Sequence, residues 1–448
     1  MEKGLAKIGA IGKEQGIKVY AVGGPVRDIL LGKKEFGIDI AVEGNGIEFA
    51  KLLQKMFGGK LRIHRQFGTA SLIYQRTEDR RQKTEERVQI DIASCREEEY
   101  TESAKLPKVG TRHGVSLHED LKRRDFTINA IALDLQTNEI IDPFNGRKDL
   151  ELGLIRILHP KSFIDDPTRI FRALRFSGRL GFRLTQDTEM KARKTIQSGL
   201  IKKLTPKRIR NEMVLILKEN SRAEIIDIMN DFGVLEQIGL RIPQVVAPGS
   251  TGSLDPANEV SYCSKSQPSV EDLFKNIDKN IVQYPEFSIQ DSELWFVYLL
   301  GLLPETRNPI TDNRIPIELT KKELQKVINT NIIISKINIL ENTDKPSEIY
   351  NLLKNVVAKR KSRHGGTGND ELLFIASAYP KVKDKILSFV NTYRKIKLHI
   401  TGKDLMLLGI EKGPKYNELL TAILTAKLDG KIRNKKDELE FVNKYRRE

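Results

Sequence analysis

Two cysteines among 448 residues, Cys95 and Cys263, offer no disulfide framework, and a chain of this length buries its cores without one. Both are read as free thiols of a reducing compartment. Aromatic side chains make up only 6% of the chain, with a single tryptophan. That scarcity argues against a sandwich rich in Tyr and Trp and for a helix-rich protein. No apolar run approaches the roughly 20 residues that a membrane span requires; WFVYLLGLL at 295–303 is too short and reads as a buried helix. The opening MEKGLAKIGAIGKEQGIKVYAVGG has no apolar signal core, so a cytoplasmic location is expected. A Cys/His metal motif, a Ser-His-Asp set and a P-loop are all missing. The six histidines (His64, His113, His118, His159, His364 and His399) are scattered and receive no role.

What the chain does have is positive charge. A formal net charge of +16 favours a polyanionic partner such as nucleic acid or an anionic membrane, with simple solubility as the plain alternative. Along residues 1–150 strand and helix signals alternate. A polar helix over 1–16 is followed by KVYAVGG (18–24), a strand running into paired glycines. PVRDILLG then starts a helix on Pro25. IDIAVEG (38–44), TASLIYQ (69–75) and RVQIDIAS (87–94) read as strands, with a charged hairpin loop EDRRQKTEER at 78–87. GIEFAKLLQKMFGG is an amphipathic helix closed by glycine. From about 150 onward helical periodicity dominates. Residues 241–270 are rich in Pro, Gly and Ser and read as a linker or surface loop. Residues 271–448 are helical again, with breaks near 304–315 and 359–370.

Five segments in order carry the chemistry: GGPVRDILLGKKEFGID (23–39), RRDFTINAIA (123–132), DPFNGRKDL (142–150), DDPTRIFRALRFSGRLGF (165–182) and PKRIRNEMVLIL (206–217). Gly23 and Gly24 between strand and helix would let backbone amides approach phosphate oxygens, with Arg27 in the first turn to hold a triphosphate. An ordinary strand–turn–helix is the plain reading of that segment taken alone. Asp28 reads equally well as a helix-start carboxylate. Arg169, Arg172, Arg175 and Arg179 recur at helical spacing as one basic face beside a packed face of Ile170, Ala173, Leu174 and Ser177. Arg208 and Glu212, four apart, suggest an intrahelical pair. The basic clusters at 359–364 and near the C-terminus suit RNA phosphates.

Together the five segments resemble the ordered motifs of the class II tRNA nucleotidyltransferases and bacterial poly(A) polymerases. ITGKDLMLLGIEKGPKYNELLTAILTAKLDGKI (400–432) is similar to that family's tail segment. The resemblance implies an α+β fold: a polymerase-β-like nucleotidyltransferase head with a mixed sheet over 1–150, a helical neck recognising the base over 151–240, the linker, and a helical body and tail binding tRNA over 271–448. It implies addition of C and/or A to the tRNA 3′ end from CTP and ATP with Mg²⁺. Nucleotidyl transfer needs divalent cations, and two carboxylates at alternate strand positions share one face. The family shows Asp-x-Asp where this chain has Gly37-Ile38-Asp39, and Asp91 matches its third acidic position. Asp39 and Asp91 are therefore the expected catalytic and metal-holding carboxylates, with Gly37 at a missing ligand position and Glu35 a poor substitute.

Within RRDFTINAIA, the resemblance gives Arg124, Asp125 and Asn129 to sugar and triphosphate, Asp125 by accepting a ribose 2′-hydroxyl; a structural ion pair at a helix end is the alternative. It gives Asp166 and Arg169 to the incoming base. A carboxylate accepts from the exocyclic amine of C or A and a guanidinium donates to ring acceptors. Arg172 and Arg175 are candidates for triphosphate or base-positioning contacts. DPFNG (142–146) reads as a structural turn. The segment REEEYTESAKLPKV (96–109) is closer to enzymes that split the work into CC addition and A addition. Gly37 leaves three readings open: a disabled transferase, a non-catalytic tRNA-binding paralogue, or a metal shell completed by water or Glu35. Poly(A) polymerase is the further alternative.

Overall fold

Alternating β-branched residues make KVYAV and IDIAVE strands, and the structure places them at the centre of one sheet. This computed structural model describes residues 2–33, 37–77, 85–110, 114–242, 268–287, 289–303, 317–357, 369–410 and 413–445. Glu35, Cys263, His113, His364, the basic cluster at 359–364, residues 78–84 of the hairpin, 243–267 of the expected linker, 304–316 and 446–448 lie outside that set. Two compact units emerge, Met1–Ile238 and Gly239–Glu448.

In the first unit, β1 (Lys18–Val22), β2 (Ile38–Glu43), β3 (Lys60–His64), β4 (Thr69–Thr77) and β5 (Glu85–Ser94) join Ala132–Asp134 and Ile140–Ile141 in a seven-stranded sheet. Its order is β3-β4-β5-β2-β1, then Ala132–Asp134 and Ile140–Ile141. β2 runs parallel to β5, and all the other pairings are antiparallel, so the sheet is mixed. Helix Gly46–Phe57 is started by Asn45, whose side chain accepts from the amides of Ile47 and Glu48. It buries Phe49, Ala50 and Leu53. Among the elements that escaped the sequence reading are β3 and one short helix. β3 alternates exposed with half-buried residues at the sheet edge, so KLRIH carries little apolar signal. Helix Leu117–Lys122 opens with a capping box between Ser116 and Glu119, a signature that was present in the sequence as Ser-x-x-Glu.

Beyond the sheet, helices Thr168–Leu180, Pro206–Leu217 and Arg222–Asp231 bury Ile170, Phe171, Ala173, Leu174, Met213, Ile216, Leu217, Ile225, Ile226 and Met229. The second unit is helical. Helix Asn369–Ala378 is buried from Asp370 to Ala378, so it is enclosed on every side, with Asp370 and Glu371 among its buried residues. Helix Asp291–Leu302 takes in all but the last residue of the WFVYLLGLL run and is buried over most of it. No helix among the described residues is long and apolar enough to cross a membrane.

Close helix packing in the first unit depends on Gly178, where a Cβ would lie 2.4 Å from Ile225 Cγ1. Gly178→Ala is expected to lower stability in chemical denaturation by about 1–3 kcal/mol through overpacking. Gly4→Ala, where a Cβ meets nothing within 4 Å inside helix Glu2–Glu14, is expected to raise it by about 0.5–1 kcal/mol. Equal effects of the two substitutions would contradict this packing account.

Candidate active site

The centre of the site follows from strand register. In the parallel β2–β5 pair, Asp39 lies opposite Asp91, and across β4–β5 Asp91 lies opposite Ser71. Cross-strand partners share a face, so the two carboxylates sit side by side. Ser71 Oγ donates to Asp91 Oδ1 at 2.5 Å, and Gln89 Nε2 donates to both Asp91 oxygens at 3.1 and 3.2 Å. Burial and the charge of Asp91 both push the Asp39 carboxyl above its ordinary range, while the charge of Arg124 opposes the rise. Two half-buried like charges held together are relieved by a divalent cation. Asp39 and Asp91 are thus the residues able to hold one.

Gly37 stands one residue before β2. It is exposed, it is not in the left-handed backbone region, and a Cβ there would meet nothing within 4 Å. The position has room for a carboxylate and lacks one. No group of three or more His, Cys, Asp or Glu arranged to hold a metal exists among the described residues, in keeping with a two-carboxylate arrangement.

The glycine turn adjoins this pair through Arg124. Gly23 has φ 74°, a backbone suited to glycine, and a Cβ there would lie 2.6 Å from Arg124 Nη1. Both the turn and the arginine therefore need residue 23 to have no side chain. Gly24 begins helix Gly24–Leu30, with Pro25 in its first turn. Arg124 Nη2 donates to Asp120 Oδ2 at 3.1 Å and Nη1 to the Asn129 carbonyl at 3.4 Å, whereas Nε is buried without a partner. Asp120, missed in the sequence reading, is 2% exposed and also takes bonds from the Arg96 amide and from Arg123. Burial opposes its ionisation, but Arg123 and Arg124 outweigh burial and hold its carboxyl below the usual range. Its spacing of three and four residues from these arginines was the available signal.

Arg27 faces inward. It is 3% exposed. Its Nε and Nη2 donate to Asp28 Oδ1, and its Nη1 donates to Asn129 Oδ1 at 2.7 Å. Asn129 Nδ2 in turn donates to Asp125 Oδ1 at 2.9 Å. Asp125 also accepts the Phe126 amide at 2.8 Å, and its Oδ2 takes Arg172 Nε at 2.7 Å and Nη2 at 2.6 Å. Burial disfavours the charged form of Asp125, but Arg172 and Asn129 more than offset it and its carboxyl lies below the ordinary range. Three accepted hydrogen bonds and the Arg172 Nη2 ion-pair contact occupy both oxygens of this carboxylate. A ribose hydroxyl at Asp125 would have to replace one of them.

The arginines expected to form one basic face on helix Thr168–Leu180 are largely taken up by other protein groups. Arg169 and Arg175 are 5% and 7% exposed. Arg175 Nη1 donates to Glu219 at 3.0 Å, and Arg179 lies within 3.9 Å of both Asp28 and Glu219. The Phe176 ring has Arg27 and Arg175 each 5.0 Å from its centroid and Arg172 at 6.0 Å, contacts that stabilise clustered guanidiniums. Arg169 donates to Ser162 Oγ at 2.7 Å, the Arg123 carbonyl at 2.8 Å and Tyr100 Oη at 3.3 Å. The Asp166 carboxylate is bound by Arg208 and not by the Arg169 guanidinium, although the Arg169 amide donates to the Asp166 carbonyl at 3.0 Å. The expected Arg208–Glu212 pair is therefore replaced: Arg208 reaches Asp166, and Glu212 Oε2 is buried without a partner. Burial raises the Glu212 carboxyl against the opposing charges of Arg172 and Arg175.

Comparison with known proteins places this arrangement. A family model described as the poly A polymerase head domain matches residues 19–156. A second, described as the probable RNA and SrmB-binding site of polymerase A, matches residues 181–243. The chain is 33% identical to an A-adding tRNA nucleotidyltransferase of Geobacter sulfurreducens over 98% of its own length, but spans only 46% of that protein. It is 29% identical to an A-adding tRNA nucleotidyltransferase of Halalkalibacterium halodurans, covering 98% of this chain and 92% of that one. A solved structure of a CCA-adding enzyme, apo form II, superposes with a TM-score of 0.74 at 30% identity, covering 99% of this chain and 95% of the other. On this sequence and structural likeness, the chain belongs to the family of tRNA nucleotidyltransferases and poly(A) polymerases.

Proposed function

We propose that the chain is a template-independent RNA nucleotidyltransferase that adds A to the 3′ end of tRNA from ATP, in the cytoplasm, with Mg²⁺ as its metal. The observation that carries this reading is the side-by-side placement of Asp39 and Asp91 next to Arg124 and the Gly23 turn. Both relatives compared above bear the name A-adding, which favours ATP over CTP. In the reaction the 3′-hydroxyl of the RNA attacks the α-phosphorus of the nucleotide. A new P–O bond forms, the bond to the β-phosphate oxygen breaks, pyrophosphate leaves and the hydroxyl proton is released. The cation would neutralise the triphosphate and acidify that hydroxyl. Asp39 and Asp91 would hold it.

Arg124, with its unpartnered Nε, would meet phosphate oxygens beside the Gly23–Gly24 turn. The Arg27–Asn129–Asp125–Arg172 chain of hydrogen bonds would hold the nucleotide-facing elements in register. Asp166 and Arg169 would receive the base, and Arg172 and Arg175 would stand behind it. The proposed division of labour is a catalytic head over 1–150, base recognition over 151–240, a linker over 241–270 and tRNA binding by 271–448.

Gly37 sustains a second reading, a non-catalytic tRNA-binding protein. Labelled ATP and CTP should be offered with Mg²⁺ to tRNAs lacking CCA, CA or A. Gly37→Asp is expected to incorporate A at least ~10²–10³-fold faster than the chain as it stands, because a lost metal carboxylate removes several kcal/mol of transition-state stabilisation. Equal rates would overturn this account of Gly37. Absence of incorporation by either, with tRNA still bound, would favour the binding protein.

Asp39 also generates a stability prediction. A carboxyl raised above its unfolded value of about 3.9 contributes stability below that pH and loses it as pH rises through the folded value. At pH 7, in metal-free buffer, Asp39→Asn should therefore melt at a higher temperature than the native chain, and the gain should vanish below about pH 4. A destabilised Asp39→Asn at pH 7 would show that the carboxylate pair is not under repulsion.

A further inference from the structure

Asp166 is bound unevenly. It lies between the short helix Ser162–Asp165 and helix Thr168–Leu180. Its Oδ1 takes three hydrogen bonds: the Thr168 amide at 2.9 Å, Thr168 Oγ1 at 2.5 Å and Arg208 Nη2 at 2.6 Å. Its Oδ2 has no hydrogen-bond partner among the described residues, yet is not sealed from solvent. Arg208 is itself fixed at both ends. It sits in the first turn of helix Pro206–Leu217, capped by Thr205. Its other amine, Nη1, donates to the Ala104 carbonyl at 2.7 Å. Ala104 is 6% exposed, has φ 63°, and returns its amide to the Asp165 carbonyl at 3.2 Å. A guanidinium bonded through separate amines to two anchored acceptors has little rotational freedom.

We propose that Arg208 is a positioning residue that sets base specificity by fixing which oxygen of Asp166 faces the incoming nucleotide. The inference rests on the reading of Asp166 as the base acceptor given under Proposed function. With Oδ1 saturated, only Oδ2 is offered, in one direction. An exocyclic amine of adenine or cytosine donates to it. A base presenting a carbonyl there meets a carboxylate that cannot turn aside, so a buried acceptor is left unpaired against a like-signed oxygen. Without Arg208 only the two bonds from Thr168 hold Oδ1, both from the helix start, and the carboxylate tilts more freely and discriminates less.

The test is equilibrium binding without RNA, so it requires no turnover, and each comparison is a ratio between two triphosphates in the same protein, so a shared metal effect cancels. Affinity for ATP is compared with that for purine riboside triphosphate, which lacks the 6-amine; CTP is compared with its 4-deamino analogue. The native chain, Arg208→Ala and Arg208→Lys are measured, with melting curves to confirm folding. The native chain is expected to prefer the amine-bearing nucleotide of at least one pair by roughly tenfold or more. In Arg208→Ala that preference should fall to about twofold, and Arg208→Lys, with one donor point for two acceptors, should fall between. An unchanged ratio in folded Arg208→Ala, including equal weakening of both nucleotides, makes Arg208 a mere brace and overturns the proposal. If Arg208→Ala does not fold, an unchanged ratio in Arg208→Lys does the same. A native chain that binds both members of each pair equally overturns the inference and leaves the transferase reading standing. A native chain that binds no triphosphate overturns both.

Discussion

The parallel pairing of β2 with β5 is the constraint on which the rest of the site depends. Its register sets Asp39 beside Asp91 on one face, and the partial burial of that face makes their proximity unfavourable without a counter-charge. What surrounds the pair supplies positive charge in stages. Arg124 acts on Asp39 directly and is held by Asp120. Arg27, Arg172 and Arg175 gather around Phe176, each bonded to at least one carboxylate. The sheet therefore does more than support the site. A slip of one residue in β5 would turn Asp91 to the opposite face and dissolve the pair.

A consequence of this arrangement is that most of the arginines expected to face a ligand are organised by other protein groups. Asp125 with three accepted hydrogen bonds and a further ion-pair contact and Arg169 with Ser162, Tyr100, His159 and the Arg123 carbonyl as partners are held rigidly, which is how a site limits the reorganisation needed when a charged substrate arrives. The departures from full pairing are informative for the same reason. Arg124 Nε, Arg175 Nε and Glu212 Oε2 are buried without partners, and all three belong to residues of this one network. Buried polar groups of that kind carry a cost in the free protein.

Much of this was legible in the sequence, and the limit of legibility is sequence distance. The strand–glycine–helix turn at 18–30 shows because each element declares itself within a few residues: β-branched alternation, paired glycines, a proline in the first helical turn. Asp39 and the gap at Gly37 show only through the resemblance to the family's Asp-x-Asp, because strand periodicity by itself marks neither position as a site. The partners of the arginines do not show. Arg172 bonds Asp125, 47 residues away; Arg175 bonds Glu219, 44 away; Arg208 bonds Asp166, 42 away. Local spacing instead suggested Arg208 with Glu212, a pairing that tertiary contact overrides. The same holds for the arginines of helix Thr168–Leu180: their spacing shows one basic face, but the distant groups that pair with them do not show.

The central claim is that two strand carboxylates form a cation site left incomplete at residue 37. The most direct measurement is Mn²⁺ binding followed by paramagnetic resonance, with ATP present, for the native chain, Gly37→Asp and the double variant Asp39→Asn with Asp91→Asn. The account predicts binding by the native chain, binding at least about tenfold tighter in Gly37→Asp, and loss of the protein-dependent signal in the double variant. Equal Mn²⁺ affinity in all three proteins would contradict it.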